Sequence, residues 1–142
     1  MDKDSKIYIA GHTGLVGSAI LNNLLVRGYK NLILRKHSEL DLKNQKDVEF
    51  FFHSEKPEYV ILAAAKVGGI LDNHINRADF IYENIMIQNN VIHQSYCNNV
   101  QKLLFLASTC VYPKYTTQPI SEDSLLTSEL EYTNEPYAIA KI

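Results

Sequence analysis

Residues 6–17 read KIYIAGHTGLVG. The first five are a short apolar run of β-formers and predict a strand. Glycines at 11, 14 and 17 follow at once in the pattern GxxGxxG. Behind them LVGSAILNNLLVR, residues 15–27, sets Val16, Ile20 and Leu24 at helical spacing with Leu15 and Ala19 beside them, which predicts an amphipathic helix. A glycine-rich turn thus passes a strand into a helix, and each glycine has a physical task there. Gly11 allows the tight turn, Gly14 lets the backbone approach a pyrophosphate, and Gly17 lets helix and strand pack closely. The helix N-terminus offers unpaired N–H groups and partial positive charge to phosphates. The stretch therefore predicts a dinucleotide cradle formed by Gly11, His12, Thr13, Gly14, Leu15, Val16 and Gly17. A glycine-rich turn without a ligand is the alternative, and the pattern that follows argues against it.

Outward from the turn, strand and helix signals alternate. NLILR (31–35) reads as a second strand and NQKDVEFFFHSEK (44–56) as a helix ended before Pro57. EYVILAAA (58–65) is apolar throughout, as in a strand buried on both faces. INRADFIYENIMIQNNVIHQSYCNN (75–99) predicts a long helix with Phe80, Ile81, Ile85, Val91 and Ile92 on its core side. KLLFLAS (102–108) is a fourth strand, followed after Pro113 by a polar loop and by a helix opening at Pro136. Alternation of this kind predicts an α/β, Rossmann-like, doubly wound parallel sheet in three layers, reaching the fourth strand and the start of one further helix. Without repeat or linker, residues 1–142 read as one domain.

The composition fits that fold and narrows the partners. Of 142 residues 46% are apolar, so the chain can build a core; 14 basic against 16 acidic side chains leave a charge of −2, which gives no footprint for nucleic acid. No apolar run is long enough to span a membrane. The charged start MDKDSKIYIAG does not read as a secretion signal. Cys97 and Cys110 form no CxxC pair and predict free thiols in a reduced cytoplasm. The histidines at 12, 37, 53, 74 and 93 lack metal-ligand spacing, so no metal site is expected.

The choice of dinucleotide turns on the end of the second strand. An NAD site places Asp or Glu there for the ribose 2′-OH; this strand ends Leu34-Arg35-Lys36-His37, a basic tip suited to a 2′-phosphate and hence to NADP(H). A solvated basic turn is the plainer account, and Glu39 stands close by. Asp41 and Leu42 follow and are expected along the adenine.

The reacting groups come from the far end of the chain. The fourth strand runs into Leu106, Ala107, Ser108, Thr109 and Cys110, at the carboxyl edge where open α/β sheets place their sites. Tyr137 and Lys141 stand four apart and share a helix face. A lysine ammonium beside a tyrosine lowers the phenol's pKa, so Tyr137 is expected to donate a proton, Lys141 to tune it and hold the nicotinamide ribose, and Ser108 to bind the substrate oxygen. Tyr-x-x-x-Lys alone is a weak signal; after GxxGxxG and a strand-end serine it becomes a strong one.

These residues resemble the extended short-chain dehydrogenase/reductase superfamily. AAAKVGGI (63–70), ADFIYEN (78–84), KLLFLASTCVYPK (102–114) and TNEPYAIAKI (133–142) are similar, within it, to the GDP-L-fucose synthase family, and the likeness covers almost the whole chain. It implies NADPH-dependent 3,5-epimerisation and 4-reduction of a GDP-4-keto-6-deoxy sugar by a homodimer, with Cys110 as one acid/base group of the epimerisation. It also implies that residues 1–142 are the cofactor-binding half, that a second acid/base residue and the sugar-nucleotide domain lie outside them, and that this half alone is inactive, self-associating or completed by another chain. Thr13, His37, Ser128 and Tyr132 depart from the family's usual residues; Lys66 receives no role. Another sugar-nucleotide epimerase or dehydratase, and a catalytically silent dinucleotide-binding module, are the alternatives.

Overall fold

A computed structural model describes all 142 residues. Its elements follow the predicted alternation: β1 (Ile7–Ala10), α1 (Leu15–Val26), β2 (Leu32–Ile33), α2 (Gln45–Glu55), β3 (Tyr59–Leu62), α3 (Ile70–Ile75), α4 (Arg77–Cys97), β4 (Lys102–Phe105) and α5 (Glu135–Lys141). All strand pairs are parallel and the order is β2-β1-β3-β4. Side chains alternate across the strands. Tyr8, Ala10, Val60 and Leu62 enter one core with Val48, Phe51 and Phe52 of α2 and Val91 of α4. Ile7 and Ile9 face the other side, where Leu24, Ile20 and Leu21 of α1 meet them with Tyr59 and Ile61. Helices on both faces of a parallel sheet make the expected three layers.

Several local expectations change. β2 spans Leu32–Ile33 and not 31–35, because its ladder with β1 ends at the Tyr8–Ile33 pair and the chain then turns away. α3 was not foreseen. It has six residues, and Ile70, Leu71 and Ile75 point outward, so it carries no core-facing period. Leu15 and Val16, set on one helical period with Ile20 and Leu24, are exposed at 90% and 50%. Gly17, the buried residue of that turn, is the one that meets β1's turn, and at 100° per residue its two predecessors are carried away from the contact. Ile92 is exposed too; α4 buries Asn84, Asn90, Gln94 and Ser95 beside Phe80 and Val91.

The chain forms two compact units, residues 1–65 with 86–106 and residues 66–85 with 107–142. The first contains the whole sheet. No helix is long and apolar enough to cross a membrane.

Tyr8 gives the sheet a pH signature. It is 1% exposed, its ring packed on Phe51 at 4.6 Å and on Phe52 at 6.1 Å, and burial pushes its pKa far above the ordinary value, with Arg35 opposing weakly. The folded protein therefore keeps a proton that the unfolded chain releases near pH 10. The associated stability is full below about pH 10 and is lost as the pH rises beyond it. Denaturant titrations between pH 9 and 11 should show a steeper alkaline loss for the wild type than for Tyr8→Phe; parallel losses would contradict this.

Candidate active site

In the first unit, the turn after β1 folds back on itself, with the Gly14 N–H donating to the Gly11 carbonyl at 3.0 Å. Gly11 sits at φ +85°, and a Cβ there would stand 2.7 Å from the Ala64 nitrogen. A Cβ on Gly17 would overlap the Gly11 carbonyl oxygen. Gly14 caps α1 with no side-chain bond and no acid follows in the first turn, so its N–H groups stay available to an anion. His12 Nδ1 is buried without a protein partner. A backbone cradle that admits no side chain, an open helix end and an orphaned ring nitrogen together fit a dinucleotide diphosphate.

The basic tip is arranged differently from the expectation. Arg35 is turned onto Glu55, which Lys6 also pairs at 3.0 Å, and its guanidinium lies 5.8 Å from the Phe51 ring centroid. Glu55, on α2, was invisible as a partner because it lies 20 residues away in sequence. Lys36 and His37 are exposed; the Lys36 N–H donates to Glu39, and His37 stands 3.8 Å from Asp41. Leu42, expected along an adenine, buries its side chain in the core. Its carbonyl and that of Lys43 accept from Asn90 at 2.9 and 3.1 Å, which fixes the backbone beside Asp41.

The second unit brings Ser108, Cys110 and Tyr137 to one cleft of about 220 Å³, with Val67, Gly68, Asn73, Phe80 and Asn134 as its other walls. Ser108 is extended, and its hydroxyl caps the 3-10 turn Thr109–Val111. Cys110 Sγ donates to Ser108 Oγ at 3.0 Å, and the Cys110 N–H reaches the same oxygen at 3.4 Å. Tyr137 packs edge-on against Phe80 at 6.3 Å. Its helix is pinned at its start: Arg77 of α4 pairs with Glu135 at 2.9 Å, bonds the Tyr132 carbonyl and lies 4.4 Å from the Tyr132 ring centroid. Tyr132 is thus the platform for that cation.

The electrostatics reverse one expectation. Tyr137 is held above its ordinary pKa, first by burial and then by negative charge on Cys110, while hydrogen bonding to Ser108 pulls the other way. Lys141, 5% exposed with Nζ 5.9 Å from the Tyr137 ring centroid, is itself lowered by burial, with Cys110 opposing. Burial disfavours the charged form of each group, so the phenol is raised and the ammonium lowered. The result at neutral pH is a protonated tyrosine, suited to giving a proton.

Asn73 and Asn134 escaped the sequence reading. Single asparagines carry no period, and the only signal was an Asn four residues beyond the Gly68-Gly69 pair.

Residues 7–142 match the NAD dependent epimerase/dehydratase family. The chain belongs to that family. Among epimerase/dehydratase relatives, a putative GDP-L-fucose synthase 2 of Arabidopsis thaliana is 62% identical over all of this chain and 43% of its own length. Of solved structures, one named DdhaC superposes with TM-score 0.98 at 68% identity, covering 99% of this chain and 41% of that one. MlghC, a GDP-mannoheptose C4 reductase from Campylobacter jejuni with NADP bound, gives 0.96 at 50% identity, covering 99% and 45%. This epimerase/dehydratase chain spans less than half the length of these relatives.

Proposed function

We propose that residues 1–142 are the NADP-binding part of a GDP-L-fucose synthase, which epimerises GDP-4-keto-6-deoxy-D-mannose at C3 and C5 and reduces it at C4. The observation that carries this reading is the Cys110 thiol bonded to Ser108 in the cleft that holds Tyr137. Reduction of a ketone needs one proton donor; a second acid/base group beside it suits a second proton-transfer task. Curated relatives named GDP-L-fucose synthase at 62% and 55% identity support it. We assign the protein to the cytoplasm and expect a homodimer whose remaining part binds the sugar nucleotide.

In the mechanism, the C4 carbonyl acidifies the C–H bonds at C3 and C5. Cys110 moves a proton at one face of these carbons, working with a second group outside this chain. Ser108 hydrogen-bonds the C4 oxygen and Tyr137 gives it a proton. NADPH, when bound, supplies the hydride. The Gly11–Gly17 cradle with His12 and Thr13 would hold its diphosphate, Arg35, Lys36 and His37 its 2′-phosphate, and Leu106–Thr109 with Lys141 its nicotinamide end.

The test is NADPH oxidation by the protein that carries this sequence, dependent on GDP-4-keto-6-deoxy-D-mannose. Absence of that dependence would exclude the reading. Likeness to MlghC favours a second one, in which the sugar is a GDP-linked 4-keto heptose; faster turnover of that substrate would select it. The cofactor preference has its own outcome. NADPH should bind about tenfold tighter than NADH at low salt, the worth of one charge-assisted contact. Because Arg35 already has Glu55, Lys36→Ala should erode this preference more than Arg35→Ala, as read by calorimetry.

A further inference from the structure

Asn73, in α3, is 7% exposed and lines the cleft with Ser108, Cys110 and Tyr137. Its Nδ2 group donates to the carbonyls of Gly68 and Gly69, both at 3.0 Å. These two bonds settle the orientation of the amide, since the opposite one would set an oxygen against two carbonyl oxygens. Oδ1 is thereby committed to face elsewhere, and it is buried with no protein donor. Asn134 lines the same cleft, and its Oδ1 is likewise buried and unpartnered. Buried polar atoms of folded proteins are overwhelmingly paired, with protein, ordered water or ligand, so two orphaned acceptors on residues that line one small cleft mark it as a place for donors from outside the chain.

The chemistry of those donors can be narrowed. The protic groups already in the cleft are Ser108, Cys110 and Tyr137, which the proposed reaction occupies with proton transfer and with the C4 oxygen. The occupant must therefore bring hydroxyl or amide hydrogens of its own. A 4-keto-6-deoxyhexose carries hydroxyls at C2 and C3, beside the carbonyl that Tyr137 and Ser108 address. Cys110 must approach C3 of that same ring. An acceptor sharing its cleft accordingly lies in the sugar's compartment.

Resting on the function proposed above, we propose that Asn73 is a substrate-binding residue whose Oδ1 accepts a hydrogen bond from the C2 or C3 hydroxyl of the 4-keto sugar, so that the Gly68-Gly69 carbonyls set the hydroxyl pattern the enzyme accepts. The residue reads one hydroxyl on the ring side that carries C2 and C3. Removing Oδ1 leaves that hydroxyl without its partner in the cleft. The loss falls on the sugar and not on the cofactor.

The experiment uses the protein that carries this sequence and compares wild type with Asn73→Ala on GDP-4-keto-6-deoxy-D-mannose and on its 2-deoxy and 3-deoxy analogues. Asn73→Ala should lower kcat/KM for the parent sugar by about tenfold or more, the worth of one buried hydrogen bond, and leave KM for NADPH within about twofold. On one of the two deoxy analogues wild type and variant should be equal, because the partner hydroxyl is gone. If Asn73→Ala does not fold, Asn73→Ser keeps a donor for the Gly68 carbonyl and enters the same comparison. An equal loss on all three sugars would reduce Asn73 to a structural tie and overturn the proposal. So would no loss at all, or a rise confined to KM for NADPH, which would turn Oδ1 toward the cofactor. If the wild type reduces none of the sugars, it is the proposed function that fails. Calorimetric binding of GDP-mannose and its 2-deoxy and 3-deoxy forms then decides Asn73 by the same pattern, with absent binding, or binding that Asn73→Ala does not weaken, counting against it.

Discussion

Tyr137→Phe should abolish reduction at C4, by about 10²–10⁴-fold in kcat, while solvent deuterium still enters C3 and C5; Cys110→Ser should do the reverse. The separation follows from which proton each group handles. Phenylalanine keeps the edge-on contact with Phe80 and removes only the hydroxyl. Serine keeps a hydroxyl for Ser108 but replaces a thiol by a much weaker acid, unable to carry a proton to and from carbon. The two sites are coupled, and the coupling has a sign. Reduction needs Tyr137 protonated, so it declines as the pH rises through the tyrosine's pKa. Negative charge on Cys110 raises that pKa. In Cys110→Ser the decline should therefore begin at lower pH than in wild type, measured on an already epimerised ketone. Deuterium incorporation unchanged by Cys110→Ser would leave the cysteine a packing residue.

Gly17→Ala should be the most damaging single methyl group in the first unit. The added carbon would overlap the Gly11 carbonyl oxygen and lie 2.7 Å from the carbonyl carbon, and both atoms are backbone that no rotamer change can move. Overpacking of this kind costs about 3 kcal/mol, or about 10 °C in Tm for a chain of this size. NADPH affinity should fall with it, because the displaced atoms belong to the cradle. Gly69→Ala is the control for stability, since a Cβ there meets nothing within 4 Å. Equal melting temperatures for the two variants, measured by thermal denaturation, would show that the turn relaxes without penalty.

The fold was legible because its signals are periodic or punctuating. Val60 and Leu62 on one face and Tyr59 and Ile61 on the other had to read as an unbroken apolar run. Pro57 and Gly28 closed the two helices before them. In the candidate site, what could be read was residue types rare in combination: Ser108, Cys110 and Tyr137 were named from sequence and line one cleft. Distant partners were not legible. The Glu55 that pairs Arg35 lies on another element. Tyr137 was expected to be acidified by Lys141, since a sequence shows spacing and not withdrawal from water. Leu15 and Val16 share the helical period of α1 and yet are exposed, because a period cannot tell which turn of the helix meets the sheet.

Asn84 shows what such a chain tolerates under redesign. Its side chain is 2% exposed and bridges three backbone groups: Oδ1 accepts from the Lys66 N–H at 3.0 Å, and Nδ2 donates to the carbonyls of Lys66 at 3.0 Å and Phe80 at 2.8 Å. An engineer seeking a greasier interior would choose leucine here, for its similar bulk and better helix propensity. The exchange would strand the Lys66 N–H and carbonyl at roughly 1–3 kcal/mol each and free the strand-to-helix segment next to Val67 and Gly68. Thermostabilising libraries built on hydrophobicity would thus enrich losses at this position, and a lineage under drift has almost no neighbouring amino acid to step to.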